Sequence, residues 1–222
     1  MKIHIKDIIL GGQDGLVNVL GILLAMAGAT QDVKLIIIAG LAATFAESLS
    51  MAGVGYTSSV AARDLYKRKW FEEKKETENN LDEAKKEIRQ IYADKGFSGN
   101  LLDKIVDKIS SNKKVLIETM MKEELNMSLE GFEHPIFNAF VIGLSAIIGS
   151  LVPLLPFFFL DNIIVGTIIS VIISVIALFF TGVYKAKLTL GTWWKEGIEL
   201  AIVGISAAVL GYIIGIFIGK IF

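Results

Sequence analysis

Apolar positions along this chain fall into long blocks, not into the alternation of a half-buried strand or the three-four spacing of a surface helix. Crossing a hydrocarbon layer of roughly 30 Å takes about 20 mostly apolar residues. Five blocks qualify: about 8–29, 35–59, 136–160, 163–184 and 198–219. Lipid offers no partner for an open N–H or C=O, so each block is expected as a helix. Two of them carry irregularities. Gly11, Gly12, Gln13 and Asp14 interrupt the first block early. Pro153 and Pro156 are expected to break the third near its end, because proline removes a helical donor and frees a carbonyl.

Between the second and third blocks the pattern reverses. Residues 61–135 carry 15 of the 22 Lys/Arg and 16 of the 23 Asp/Glu, so 31 of 45 charges crowd into a third of the chain and that third must be wet. Residues 61–79 prolong the second span outward without a breaker, and Leu81–Ala93 read as the next helix, ended by Gly96. Ser98 is placed to cap a third helix running to about Ser110, and 113–129 make a fourth. The chain therefore reads as an all-α integral membrane protein of five transmembrane helices, with a helical domain inserted between helices two and three. Its regions are 1–60, 61–134 and 135–222. The insert is short and is expected to borrow stability from the membrane part or from a second subunit.

Composition agrees with the blocks: 53% of residues are hydrophobic and the mean hydropathy is +0.59. A net charge of −1 gives no global basic field, so nucleic acid is not an expected partner. With no cysteine there is no disulfide framework, thiolate cage or thiol redox chemistry. The first residues, MKIHIKDIIL, run straight into the first span, so no cleaved leader is expected. Loop lysines set an orientation. Lys2, Lys6, the 61–135 region, Lys185, Lys187 and Lys195 fall on one side, and only Lys34 and Lys220 on the other. The N-terminus and 61–134 are thus expected in the cytoplasm and the C-terminus outside.

Ionisable groups within a span are costly and by default mark a pathway. Asp14 and Glu47 are such groups. Asn18 follows Asp14 by one turn and Met51 follows Glu47 by one turn, so each pair shares a helix face. Carboxylate, amide oxygen and thioether make a partial shell suited to a borderline ion such as Fe²⁺, and a poor one for Mg²⁺ or Ca²⁺, which take oxygen alone. The plainer alternatives are that Asp14 caps or kinks the first helix, that Glu47 pairs with another group, and that Met51 packs. The second span is slim, with Gly40, Ala42, Ala43, Ala46, Ser48, Ser50, Ala52, Gly53 and Gly55. That serves close helix packing, room for an ion, or both.

In the wet region Glu73, Glu76, Asn80, Glu83 and Glu87 step by three or four and would form one acidic stripe on a continuous helix. Met120 and Met121 lie within a turn of Glu124 and read as exposed methionines beside a carboxylate. A solvated face explains the stripe alone; stripe and methionines together suggest a module that binds several metal ions. His4 and His134, isolated near span boundaries, read as interfacial residues and not as ligands. No Ser–His–Asp set, zinc spacing or phosphate-cradling glycine loop is present, and GGQDGL lacks the context of a nucleotide fingerprint.

Five short segments in this order and spacing carry a resemblance: DGLVNVLG at 14–21, SMAGVGY at 50–56, IYADKG at 91–96, MMKEEL at 120–125 and PLLP at 153–156. The chain resembles the vacuolar iron transporter family along nearly its whole length. The resemblance implies five transmembrane helices per subunit, a homodimer, and a cytoplasmic metal-binding domain between helices two and three. It implies export of Fe²⁺, and often Mn²⁺, from the cytosol in exchange for protons. No prosthetic group and no enzymatic activity are expected, and Co²⁺ and Zn²⁺ stand as further cargo. The resemblance places Asp14 and Met51 on pathway positions, and Glu73, Glu76, Glu87, Met120, Met121 and Glu124 on metal-binding positions. This chain departs from the family in two respects. The second-helix glutamate positions of the family fall on Ala43 and Gly55, where this chain instead offers Glu47. One cytoplasmic glutamate falls on Ala84, with Glu83 beside it. Two other readings remain at this stage: a membrane-anchored iron-binding or ferroxidase-like protein, and a scaffold with a charged appendage. The membrane is expected to be the cytoplasmic membrane of a prokaryote or a vacuolar-type membrane of a eukaryote.

Overall fold

The computed structural model describes residues 5–128, 134–189 and 191–221. Lys2 and His4 lie outside the described residues. Every regular element among the described residues is a helix: α1 (Ile5–Ala29), α2 (Val33–Asn79), α3 (Leu81–Asp94), α4 (Gly99–Ser110), α5 (Lys113–Glu123), α6 (Pro135–Phe159), α7 (Ile163–Leu188) and α8 (Trp193–Ile221). Five of them, α1, α2, α6, α7 and α8, are long and apolar enough to cross a membrane. At 1.5 Å per residue the 47 residues of α2 run roughly 70 Å, more than twice a hydrocarbon layer. Residues 61–79 therefore continue the span as one helix, as the absence of a breaker predicts. The chain divides into two compact units, Met1–Thr57 with His134–Phe222, and Ser58–Glu133.

In the first unit α1 packs on α6 and α8, and α7 packs on α8 and α6. Val19 and Leu23 of α1, Ile36 of α2, and Leu154 and Phe157 of α6 form one core cluster. Helices α1 and α6 meet backbone to backbone. A Cβ on Gly15 would strike the Ala146 carbonyl and stand 2.7 Å from Ser150 Oγ, and one on Gly149 would strike the Gly12 carbonyl. Small residues permit that approach, which replaces the missing hydrophobic drive between helices in lipid. The same contact explains why Gly11–Asp14 do not interrupt α1, which is continuous. Nor do the prolines break α6, which runs through Pro153 and Pro156 to Phe159. Helix α7 is bonded to the same stretch: Ser170 donates its hydroxyl to the Pro153 carbonyl at 2.6 Å. Asn162 caps α7 by accepting from the Val165 N–H at 3.1 Å.

The second unit folds around Ala84, Ile88, Leu102, Val106, Leu116 and Met120. Helix α3 ends where expected, with Gly96 in the left-handed region at φ +93°. Ser98 does precede α4 in an extended conformation, but its side chain makes no cap hydrogen bond. Helix α5 stops at Glu123 instead of reaching 129, because Asn126 turns left-handed at φ +54°; residue 129 itself lies outside the described residues. Ion pairs Arg89–Asp103 and Lys95–Glu123 tie α3 to α4 and the C-terminus of α3 to α5.

Candidate functional site

Each unit holds one group of candidate residues. In the first, Asp14 and Asn18 lie one turn apart on α1 and Glu47 lies on α2. The Glu47 side chain lies beside those of both Asp14 and Asn18. The packing on α6 explains why they meet. Gly15, next to Asp14, is pressed against the α6 backbone, and Ser48, next to Glu47, donates to the Gly143 carbonyl of α6 at 2.9 Å. Both carboxyls therefore flank helices docked on the same partner. Met51, one turn after Glu47, is buried against Ile142 and Ala146 of α6. Asp14 is in mid-helix, so it does not cap α1, and Glu47 does pair with another group: Asp14 itself is part of that pair. Two carboxylates this close repel unless a proton or a cation lies between them.

Asp14 and Glu47 are half-buried and Asn18 is exposed. Beside them, α2 presents Ala42, Ala46, Ser50 and Gly53 as an exposed small-residue edge, and a Cβ on Gly53 would meet nothing. Phe45 and Leu49 stand 66% and 77% exposed on that side of the helix. Neither Ala43 nor Gly55 supplies a donor side chain, and Glu47 is the sole carboxylate between Asp32 and Asp64. Two apolar clefts, of about 360 and 420 Å³, lie elsewhere in this unit and touch neither carboxylate.

In the second unit the acidic stripe is not carried on one helix. α2 ends at Asn79, and Asn80, at φ −145° and ψ 75°, makes an elbow and caps α3 by accepting from the Glu83 N–H at 3.3 Å. The elbow folds Glu73 and Glu76 of α2 against Glu83 and Glu87 of α3 around a cavity of about 300 Å³. Burial, then the carboxylates of Glu124, Glu76 and Glu87, push the Glu73 carboxyl up to about 7. Glu87 is also raised, by burial first and then by Glu124, Glu83 and Glu76. Five carboxylates from α2, α3 and the end of α5 thus feel one another, an arrangement that like charges would oppose without a counterion.

Met120 and Met121 are fully buried, not exposed as their sequence neighbours suggested. The α5 face that carries them closes the core, and Met120 packs with Ala84 and Ile88. Ala84 serves that core and also lines the acidic cavity, where the neighbouring Glu83 supplies a carboxylate. Thr77, which spacing did not single out, lines the cavity too. It lies four residues after Glu73, a helical step that would have found it. Among the described residues, no three Asp, Glu, His or Cys groups converge tightly enough to hold an ion alone. An ion bound in either group would draw also on amide, hydroxyl or thioether donors, or on carboxylates that swing inward.

The VIT family model matches residues 5–216. The chain is 30% identical to "Vacuolar iron transporter 1" of rice, Oryza sativa, over 94% of this chain and 82% of that protein. It is 26% identical to "Vacuolar iron transporter 1" of Arabidopsis thaliana over 94% of this chain and 83% of the relative. It is 28% identical to "Protein CCC1" of Saccharomyces cerevisiae over 92% of this chain and 66% of that protein.

Proposed function

The chain belongs to the VIT family, and from that premise we propose that it carries Fe²⁺, and also Mn²⁺, out of the cytosol in exchange for protons. Members of the family are transporters, so this chain is a membrane transporter of metal ions and not an enzyme. Iron comes from the names of the relatives; the mechanism comes from the two groups of carboxylates.

The observation that carries the reading is the pair Asp14–Glu47 on two apolar helices, with Asn18 beside it and Met51 one turn away. A carboxyl pair in hydrocarbon accommodates either a proton or a cation, and each occupant displaces the other. Exchange of one for the other at this point is the minimal basis of antiport. Thioether and amide beside carboxylate favour Fe²⁺ over Mg²⁺ or Ca²⁺. The inserted helical domain, 61–134, lies on the cytoplasmic side with the N-terminus in this reading. There its carboxylates Glu73, Glu76, Glu83, Glu87 and Glu124, with Met120 and Met121, gather cations ahead of the path.

A single copy leaves Asn18 and the slim edge of α2 exposed beside the carboxylates. Acyl chains are a poor solvent for such groups. A second copy covering that edge would enclose the path, which supports a homodimer. The membrane is the cytoplasmic membrane of a prokaryote or a vacuolar-type membrane.

The test is flux into proteoliposomes under an imposed pH gradient, with Fe²⁺ as cargo and Mn²⁺, Co²⁺, Zn²⁺ and Ca²⁺ as competitors. Uptake driven by the gradient and resisted by Ca²⁺ is expected. Gradient-independent oxidation of Fe²⁺ by O₂ with no flux would overturn the reading.

A further inference from the structure

The two apolar clefts of the membrane unit end in different charges. The larger, about 420 Å³, opens between α1, α6 and α7, where Ile9, Gln13, Ile148, Phe180 and Tyr184 line it. The other, about 360 Å³, opens between α1, α7 and α8 and includes Leu24, Ile163 and Ile213. The larger joins the early part of α1 to the late part of α7, and the smaller joins the reverse, so these two helices run antiparallel. Leu16 of α1 and Leu178 of α7 pack together. Lys6 precedes Leu16 by ten residues and Lys187 follows Leu178 by nine. At about 1.5 Å per residue, both lysines stand about 14–15 Å from that contact, on one level at one end of the unit.

Helical register places both lysines at the mouth of the larger cleft. Lys6 comes three and seven residues before Ile9 and Gln13, and Lys187 three and seven after Tyr184 and Phe180. Each therefore continues the face of its helix that lines the cleft. Both are exposed and form no ion pair among the described residues, whereas Lys185 is engaged by Glu196 at 2.7 Å. Asp7 falls with Gly11 and Asp14 on another face of α1, outside the lining. The smaller cleft differs: its faces continue to Asp161, two residues before Ile163, and to Lys220, seven after Ile213, one charge of each sign.

An apolar wall that gives way to two ammonium groups matches a bilayer's own change from acyl chain to headgroup. In that wall the Ser145 and Thr181 hydroxyls donate to the Val141 and Ala177 carbonyls of their own helices, at 2.7 and 2.9 Å, and present little polarity to a chain. Lysine near a span end carries its ammonium outward along such a surface. We propose that the larger cleft seats one anionic phospholipid, an acyl chain between α1, α6 and α7 and the phosphate at Lys6 and Lys187. The occupant is a lipid and not a soluble anion, because a soluble anion gains nothing from the apolar wall. The assignment is independent of which ion the chain carries.

The experiment mixes the full chain in detergent with equal amounts of phosphatidylglycerol and phosphatidylcholine, then extracts and quantifies the lipid that co-elutes on gel filtration. The wild type should retain phosphatidylglycerol in preference. Lys6→Gln and Lys187→Gln should each cut that preference about fivefold and together about twenty-fivefold, the worth of one juxtamembrane lysine each. Lys6→Arg with Lys187→Arg should keep it, as should Lys220→Gln at the other cleft. Raised salt on the unsubstituted chain should erode it as well, a check that involves no variant. Equal retention of the two lipids by the wild type, a preference indifferent to salt, or a wild-type preference in the double glutamine variant would each overturn the proposal. Glycerol phosphate in excess should leave the lipid in place; displacement would mark a soluble-anion site and overturn it too.

Discussion

The side chains of Asp14 and Glu47 meet between α1 and α2, and neither helix alone would bring a partner to its carboxyl. The meeting depends on α6, which receives Gly15 of α1 backbone to backbone and the Ser48 hydroxyl of α2 at 2.9 Å. The pair is therefore a product of packing, and the variants that test it fall into those that change its chemistry and those that change its support.

Asp14→Asn and Glu47→Gln keep size and remove charge. Each should reduce Fe²⁺ uptake into proteoliposomes by at least about tenfold, the lower end for loss of a metal-supporting group. Both variants should elute as folded protein. Full transport by both would defeat the pathway assignment.

Gly149→Val tests the support. Its branches would meet the Gly12 carbonyl, which cannot move without shifting α1. Overpacking typically costs about 1–3 kcal/mol, so the melting temperature in detergent should fall and transport with it. Ser48→Ala is the contrast. An interhelical hydrogen bond in a membrane averages about 0.6 kcal/mol, so only a small loss of stability is expected.

Met120→Leu with Met121→Leu keeps the volume of two fully buried side chains and removes both sulfurs. Stability should change little, since volume-conserving core exchanges cost less than about 1.5 kcal/mol. Fe²⁺ affinity of the full chain should drop about tenfold while Ca²⁺ affinity holds, because only the borderline ion uses the thioether. Equal losses for both ions would show the methionines to be packing alone.

Glu73 supplies a pH dependence. Burial and the carboxylates of Glu124, Glu76 and Glu87 raise its folded value to about 7, above the ordinary 4.5. The folded chain then holds the proton more tightly than the unfolded one. This contribution is complete below about pH 4.5 and is lost as pH rises through about 7. Metal-free protein should melt at a lower temperature at pH 8 than at pH 5.5, and Glu73→Gln should flatten that slope. Added Fe²⁺ should restore stability at pH 8, where the cation replaces the proton.

The number, positions and helical character of the spans follow from the sequence, because lipid admits no other backbone and block length matches bilayer thickness. So does the wet insert, since so many charges within residues 61–135 exclude burial in hydrocarbon. The residues of the candidate sites were legible as carboxylates in costly or repeated positions, and the Gly96 stop as a position that favours positive φ. What tertiary structure decided is how separate segments meet. Apolar periodicity carries no information on which helices dock, so the Asp14–Glu47 pair awaited the α6 contact. An elbow at Asn80 turned a supposed stripe into a cavity, because side-chain capping by Asn80 ends one helix and begins the next. The burial of Met120 and Met121 and the continuity of α6 through its prolines have the same origin. Their burial and support come from neighbours remote in the chain, which no local pattern encodes.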